Sequence, residues 1–364
     1  GVAAIAVALQ SKGFDVVVLE ADASFDARKQ GYGLTIQAVD AIQSLGISLE
    51  QEDAPATSHY IFSAQGHILG VFGEAFRQSK KDRRATSASA GRFIHIPRQM
   101  LRAKLVEQIR PDTIRWNSKL KKFSCRSNED QNESGVIVTL NDGTTIEAAL
   151  LVGADGIFST VRRQLSLPGD RLNYLGLIVV LGMVPTVGKK SSSSSNGKEK
   201  TVAGTVASSL PQRRIFETVD GVTRIYAMPF TADITMWQLS FPYAEEAARA
   251  LVKDPAALKE EILQRCGDWH APLPAMLRST PLDCMSGYPV YDRDPLDPAV
   301  LRKPQATATQ TASEQPKPQR RVTVIGDAAH PLCPFRAQGA NQALSDAALL
   351  ADMLEDGVRR HGPH

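Results

Sequence analysis

"RVTVIGDAAHPLCPFRAQGANQALSDAALLADML" (Arg321–Leu354) decides how this chain folds. Val322 to Ile325 is a short apolar run of the kind that forms a buried strand. Gly326-Asp327 sits at its carboxyl end, and a loop bounded by Pro331 and Pro334 follows. Gln338-Gly339-Ala340-Asn341 then opens a long amphipathic helix, expected to close near Gly357. An aspartate at a strand end can hold sugar hydroxyls. A helix opened by glycine offers free amides and the positive end of its dipole to a developing negative charge. A purely structural segment gives no reason for these features to occur together.

A related pattern lies upstream in "ALLVGADGIFSTVRRQL" (Ala149–Leu165), where an apolar strand ends in Gly153 and Asp155-Gly156 leads into a helix. Ser159 stands near the helix start and Arg162-Arg163 lie within it. Glycines let backbone approach a ligand closely, and a strand-to-helix turn aims amides at anions. An ordinary Asp-Gly turn explains the same residues. The chain opens with "GVAAIAVALQSKGFDVVVLE", a glycine feeding a small-residue helix that stops at Gly13. Val16 to Leu19 then reads as a buried strand ending in Glu20. This matches the second half of a dinucleotide-binding βαβ unit, whose first strand and first two glycines are expected upstream. Glu20 is placed either to accept hydrogen bonds from a ribose diol or to stand solvated before a loop.

Between these α/β ends, "RRIFETVDGVTRIYAMPFTADITMWQLSFP" (Arg213–Pro242) gives three runs rich in β-branched and aromatic residues. Asp220-Gly221 marks a hairpin and a second turn falls near Ala232-Asp233, so an antiparallel sheet is expected. Two helices follow, the second opened by Pro255. Lys189–Lys200 is Ser-rich and charged, and Lys303–Arg321 is poor in large apolar residues; 189–200 and 303–320 are expected to be disordered insertions.

The chain has 364 residues, 43% of them hydrophobic, enough for a large core in two domains. A net charge of +3 without a dense Lys/Arg stripe argues against a nucleic-acid partner. Cys125, Cys266, Cys284 and Cys333 are far apart, which argues against a disulfide framework or a zinc site and suits a reducing compartment. The apolar run Val2–Leu9 is too short to cross a bilayer. A cytoplasmic chain is expected, with no metal and no transmembrane segment.

Together these stretches resemble the single-component FAD-dependent monooxygenases, the aromatic hydroxylases typified by para-hydroxybenzoate hydroxylase. The opening segment is similar to the end of the family's Gly-x-Gly-x-x-Gly unit, with Gly1 as its last glycine. "GADGIFSTVRRQL" is similar to its Asp-Gly motif and "GDAAHPLCPF" to its Gly-Asp motif, in the family's order. "ARKQGYGLTIQAVDAIQSLGI" (Ala27–Ile47) and "HIPRQMLRAKL" (His95–Leu105) fit as well. The resemblance implies an α/β fold, a Rossmann-like FAD-binding domain (1–57, 92–172 and 321–357) with an inserted antiparallel β-sheet substrate domain (58–91 and 173–302). It implies that Glu20 holds the adenosine ribose of FAD and that Arg28 and Arg98 face the ribityl and pyrophosphate region. Asp155 would lie near the pyrophosphate and the NAD(P)H approach, and Asp327 would bind a ribityl hydroxyl. Gly339, Ala340 and Asn341 would present amides to the pyrimidine edge of the flavin. Pro334 would wall the oxygen site, Cys333 would be a small filler, and His330 a structural residue rather than a general base.

The reaction so implied uses NAD(P)H to reduce FAD, traps O2 as a C4a-hydroperoxide and hydroxylates a small aromatic substrate. No second Gly-x-Gly-x-x-Gly is visible, which fits a transiently docked nicotinamide. The substrate is expected beneath the inserted sheet, where Arg214, Tyr226, Met228 and Gln238 are pocket candidates and equally plain sheet residues. Alternation sets Ile225, Ala227 and Pro229 opposite Tyr226 and Met228 without saying which face meets the flavin. Tyr288, Asp292 and Arg293 read as pocket residues or as a salt-bridged loop. The alternatives are a non-catalytic or incomplete FAD-fold protein without tight cofactor, and a flavin-dependent halogenase, for which "MWQLSFP" carries only one of the expected tryptophans.

Overall fold

The computed structural model describes residues 1–27, 33–49, 58–73, 94–127, 134–167, 170–185, 214–231, 233–294 and 321–362. Both expected insertions lie outside the described residues, as do Arg28 and Ala232. Among the described residues the helices are α1 (Val2–Ser11), α2 (Val39–Ser44), α3 (Arg98–Glu107), α4 (Thr160–Leu165), α5 (Glu245–Leu251), α6 (Pro255–Cys266), α7 (Leu273–Ser279) and α8 (Gly339–His361). The first strands are β1 (Val18–Leu19), β2 (Gly33–Ile36), β3 (Ser58–Ser63), β4 (Ile68–Gly73), β5 (Ile94–Pro97), β6 (Ile114–Arg115), β7 (Leu120–Ser127) and β8 (Ser134–Leu140). They are followed by β9 (Thr145–Ala148), β10 (Leu151–Gly153), β11 (Asn173–Pro185), β12 (Arg214–Val219), β13 (Arg224–Pro229), β14 (Ile234–Pro242), β15 (Met285–Asp292) and β16 (Val322–Val324).

The chain ends assemble first around small residues. Helix α1 buries Ala4, Ile5, Ala6, Val7 and Ala8, and its core cluster includes Leu344, Ala347 and Ala351 of α8. Alanines on both helices let their backbones approach closely. The parallel sheet appears as two pairs, β1 with β6 and β10 with β16, the second in register Leu151↔Val322 to Gly153↔Val324. Gly153 has to be a glycine: a methyl there would stand 2.7 Å from Cβ of Val161 in α4. Helix α8 does not close at Gly357. It runs on to His361 and stops at Gly362, whose φ is +80°. A mid-helix glycine costs about 1 kcal/mol relative to alanine without removing a hydrogen bond, so the ladder continues through it.

The inserted region expected from the sequence is a seven-stranded sheet in the order β15-β11-β14-β13-β12-β3-β4. The β12–β13 turn is closed by Asp220, whose Oδ1 accepts from the N–H groups of Val222 and Thr223, with Gly221 at φ +93°. One face is sealed by α5, α6 and α7: Phe216, Ile225, Ala227, Trp237, Leu239 and Phe241 share a core with Leu258, Ile262 and Leu277. Helix α6 is well specified locally, with the Asp254 side chain accepting from two first-turn amides and Pro255 opening the helix. Trp237 is fully buried, its ring N–H donating to Thr280 Oγ1 at 2.9 Å. Its ring lies over Gly182 of β11, where a Cβ would stand 2.2 Å from ring carbons.

Gly182→Ala therefore overpacks this core and is expected to cost about 2–3 kcal/mol, read as a lower urea midpoint. Trp237→Phe in the same chain, by shrinking the ring, is expected to recover part of that loss.

Candidate functional site

The Gly-Asp segment folds as its sequence suggests, strand β16 passing into a 3-10 turn over Gly326–Ala328. Gly326 has a φ of +56°, and a Cβ there would stand 3.1 Å from Cβ of Ala343, so only glycine lets the turn lie this close to α8. Asp327 projects over the start of α8: a methyl on Gly339 would stand 3.5 Å from its Oδ1. Its carboxylate is open to solvent on one side and crowded by protein on the others. That desolvation raises its pKa, opposed in part by the positive charges of His330 and Arg98. Arg98 is the exposed first residue of α3. No side chain caps α8, so its first N–H groups, at Gly339, Ala340 and Asn341, are left for a ligand or water.

Two α8 side chains hold this arrangement. Asn341 is buried and uses its amide completely. Its Oδ1 accepts from the N–H groups of Gln37 (2.7 Å) and Ala38 (3.0 Å), and its Nδ2 donates to the carbonyls of Thr35 and Ala337 (both 2.9 Å). Asp346 Oδ2 accepts from the Gly326 N–H at 2.8 Å and pairs with His330 Nε2 at 2.6 Å. The Asp346 hydrogen bond raises the His330 pKa. Burial works to raise the Asp346 carboxyl, but the bonds from His330 and Gly326 outweigh it and hold the group low. His330 thus tethers the turn to the helix.

A third tether was not foreseen. Arg162, 2% exposed, donates through Nη1 to the carbonyls of Ala328 (3.1 Å) and Ala329, directly after Asp327. Its Nε and Nη2 meet Asp170 at 3.1 and 3.0 Å. The same carboxylate takes Arg293 Nη1 at 2.7 Å, and Arg293 also donates to the Ile157 carbonyl at 3.3 Å. One largely covered aspartate, its side chain 10% exposed, therefore joins the Asp-Gly turn, the Gly-Asp turn and the segment leaving β15. Of the two readings of Arg293, the salt-bridged one is what the structure shows.

The remaining sequence-derived residues are placed as follows. Asp155 accepts from Ser159 Oγ and from the N–H groups of Thr160 (2.6 Å) and Val161 (3.3 Å), capping α4. Glu20, at the end of β1, accepts from the Asp22 N–H at 3.1 Å and has Arg102 at 4.0 Å, apart from the Asp327 cluster. Gly1 lies where a Cβ would be 3.7 Å from Ala154 and 3.9 Å from Ala343, the close helix–strand packing that the last glycine of such a unit provides. Pro334 opens a 3-10 turn over Pro334–Arg336.

The sheet meets this site by the face that the helices leave uncovered. Ile215, Met228 and Met236 cluster there with Tyr226 and Phe230. The Gly33 N–H of β2 donates to Met236 Sδ at 2.9 Å. The Arg224 guanidinium stands 5.6 Å from the Phe335 ring centroid, next to Pro334. Tyr226 and Met228 therefore face β2 and the Gly-Asp region, and Ile225 and Ala227 face the helices. Gln238 pairs with Tyr226 in register and Arg214 begins β12 beside Ser58. Tyr288 pairs with Val179 and Asp292 with Asn173.

A family described as "FAD binding domain" matches residues 3–251 and 292–363. The chain is 28% identical to aurachin C monooxygenase/isomerase of Stigmatella aurantiaca over 326 residues, spanning 89% of this chain and 70% of that protein. It is 24% identical to 6-hydroxynicotinate 3-monooxygenase of Pseudomonas fluorescens over 362 residues, 99% of this chain and 82% of that one. Among solved structures, Klebsiella pneumoniae HpxO complexed with FAD and uric acid superposes with a TM-score of 0.72 at 19% identity, covering 97% of this chain and 77% of that one. The 2,6-dihydroxypyridine-3-hydroxylase of Arthrobacter nicotinovorans does so with a TM-score of 0.72 at 18% identity, covering 97% and 81%.

Asn341→Ala strands two amides and two carbonyls and is expected to cost about 2–4 kcal/mol in chemical denaturation. The His330–Asp346 pair carries a pH signature. Because the folded His330 pKa is raised above 6.5, its contribution is complete below that pH and fades as pH rises through the folded value. The gap in Tm between the wild-type chain and His330→Gln is therefore expected to narrow as the pH is raised from below 6.5 into the alkaline range.

Proposed function

This chain belongs to the FAD-binding domain family, and from that premise we propose that it is an FAD-dependent monooxygenase that uses NAD(P)H and O2 to hydroxylate a small aromatic substrate. The observation that carries the reading is the juxtaposition at Asp327: a crowded carboxylate over an uncapped helix start, with the open face of a sheet reaching the next turn through Arg224 and Phe335.

The residues fit the cofactor. Glycine at position 339 keeps the space beneath Asp327 clear, and the crowded carboxylate has unused accepting capacity for a ribityl hydroxyl. The amides of Gly339, Ala340 and Asn341, at the positive end of a 23-residue helix, suit the pyrimidine edge of a ring that gains negative charge on reduction. Arg98 is assigned to the phosphates and Glu20 to the adenosine ribose, while Arg28 is assigned by its motif alone. Asp155 serves nucleotide binding through the turn that it caps, and Gly1 through close packing. When bound, FAD supplies the redox chemistry, accepting electrons from the nicotinamide and activating O2 for transfer of one oxygen atom.

The chain's own work is positioning and exclusion of water. Pro334 and Phe335 form the wall between the turn and the sheet, and the buried Met228 and Met236 pack the sheet against Gly33 of β2. The names of the relatives, a 6-hydroxynicotinate 3-monooxygenase among them, support an aromatic substrate. The four free cysteines support a cytoplasmic setting. No described helix is long and apolar enough to cross a membrane.

The test is the visible absorption of the purified chain after gel filtration with added FAD, followed by NAD(P)H oxidation against a panel of aromatic substrates. Retained flavin and substrate-stimulated oxidation are expected. Asp327→Ala, which loses an exposed carboxylate, is expected to weaken FAD binding by about tenfold or more while leaving the Tm of the flavin-free chain within a few degrees. A chain that takes up no FAD overturns the reading.

A further inference from the structure

The face of the β12–β13–β14 sheet that the helices leave uncovered carries a tight charge cluster next to the buried Ile215, Met228 and Met236. Arg224 Nε and Nη2 meet the two carboxylate oxygens of Glu217 at 3.0 and 2.6 Å, a bidentate fork across neighbouring strands. His59 of β3 reaches the same carboxylate at 3.3 Å. Around this cluster stand Tyr226, Met228, Met236 and Phe335. Burial works to raise the Glu217 carboxyl, but the bonds from His59 and Arg224 bring it down to about 2, so the pair stays ionised at any physiological pH. Burial also pushes the Tyr226 hydroxyl up to about 12, which keeps it neutral.

Resting on the monooxygenase reading, we propose that Glu217, by holding the guanidinium fork of Arg224, makes this site select neutral aromatic rings that bear a hydroxyl or ring N–H and discriminate against aromatic carboxylates. The reason is charge balance around one guanidinium. Glu217 occupies the Nε–Nη2 edge of Arg224, so the cation is already paired and its remaining donors lie beside a carboxylate. A carboxylate substrate bound there meets the like charge of Glu217, whose side chain is 15% exposed, or displaces it and leaves that charge desolvated without its partner. A neutral ring meets no such repulsion: Phe335, which is exposed, accepts its face, and the Tyr226 hydroxyl can donate to or accept from its polar group. Arg224 then acts as part of a balanced wall rather than as an anion anchor.

The experiment is equilibrium dialysis of the full chain, with and without added FAD, against two matched pairs at pH 8: 4-hydroxybenzamide with 4-hydroxybenzoate, and 4-hydroxyquinoline with its 2-carboxylate. The neutral member of each pair is expected to bind about tenfold or more tightly. Glu217→Gln releases the fork and is expected to improve carboxylate binding by about tenfold while changing the neutral ligand less than about threefold. Equal or tighter binding of the carboxylates by the wild-type chain overturns the proposal, as does failure of both neutral ligands to bind or an unchanged ratio in the variant. If Glu217→Gln does not fold, the wild-type ratio decides alone. Dialysis does not depend on the flavin signal, so a chain that holds no FAD refutes the monooxygenase reading while the ligand ratio still judges this one.

Discussion

The docking of the first half of α8 onto two loops is the constraint on which the rest of the structure depends. Asn341 binds the end of β2 and the loop after it through three hydrogen bonds, to Thr35, Gln37 and Ala38, and Asp346 binds the turn after β16 through the Gly326 N–H and His330. Both side chains are amides or carboxylates with their bonding capacity largely met, so each would be costly to leave without partners. Glycine at 326 and alanine at 343 allow the approach, and Asp327 is thereby set over the start of the helix. The same helix, farther along, packs on α1 through Ala347 and Ala351, so one element orders both the site and the core beneath it.

The Arg162–Asp170–Arg293 cluster does a different job. Two cations share one anion with little exposure, an arrangement that contributes little net stability compared with an apolar core of the same volume. Its value lies in directionality: its carbonyl acceptors, Ala328, Ala329 and Ile157, each lie within two residues of Asp327 or Asp155. Hydrophobic packing alone would tolerate small slides of these turns, whereas a guanidinium fixed at both ends does not.

The sheet divides its labour by face. One side is filled by a tryptophan, aliphatic side chains and three helices, and acts as a rigid support. The other presents sulfur, aromatic and balanced charged groups to the cofactor domain. This fits a family whose cofactor brings the redox chemistry and whose protein part shapes and dries the space around it.

Much of this was legible in the sequence because the signals are local. The Gly-Asp strand end, the uncapped glycine start of α8, the Asp220-Gly221 turn and the Pro255 helix start each depend on residues within one turn or strand, where steric and hydrogen-bonding rules act directly. The stop of α8 was misplaced at Gly357 because glycine weakens a helix without interrupting its bonds. Alternation gave β13 two faces, but only the packing of α5, α6 and α7 against one of them decided which face the cofactor domain meets. Asn341 and Gln37 lie 304 residues apart, and Arg162 and Ala328 lie 166 apart; no spacing rule relates such pairs. The sequence by itself determined the fold family, the cofactor class and the elements that carry the site. Tertiary structure alone decided which side chains serve as tethers and which face of the sheet the helices cover, because those roles depend on contacts that close long loops rather than on local conformational preference.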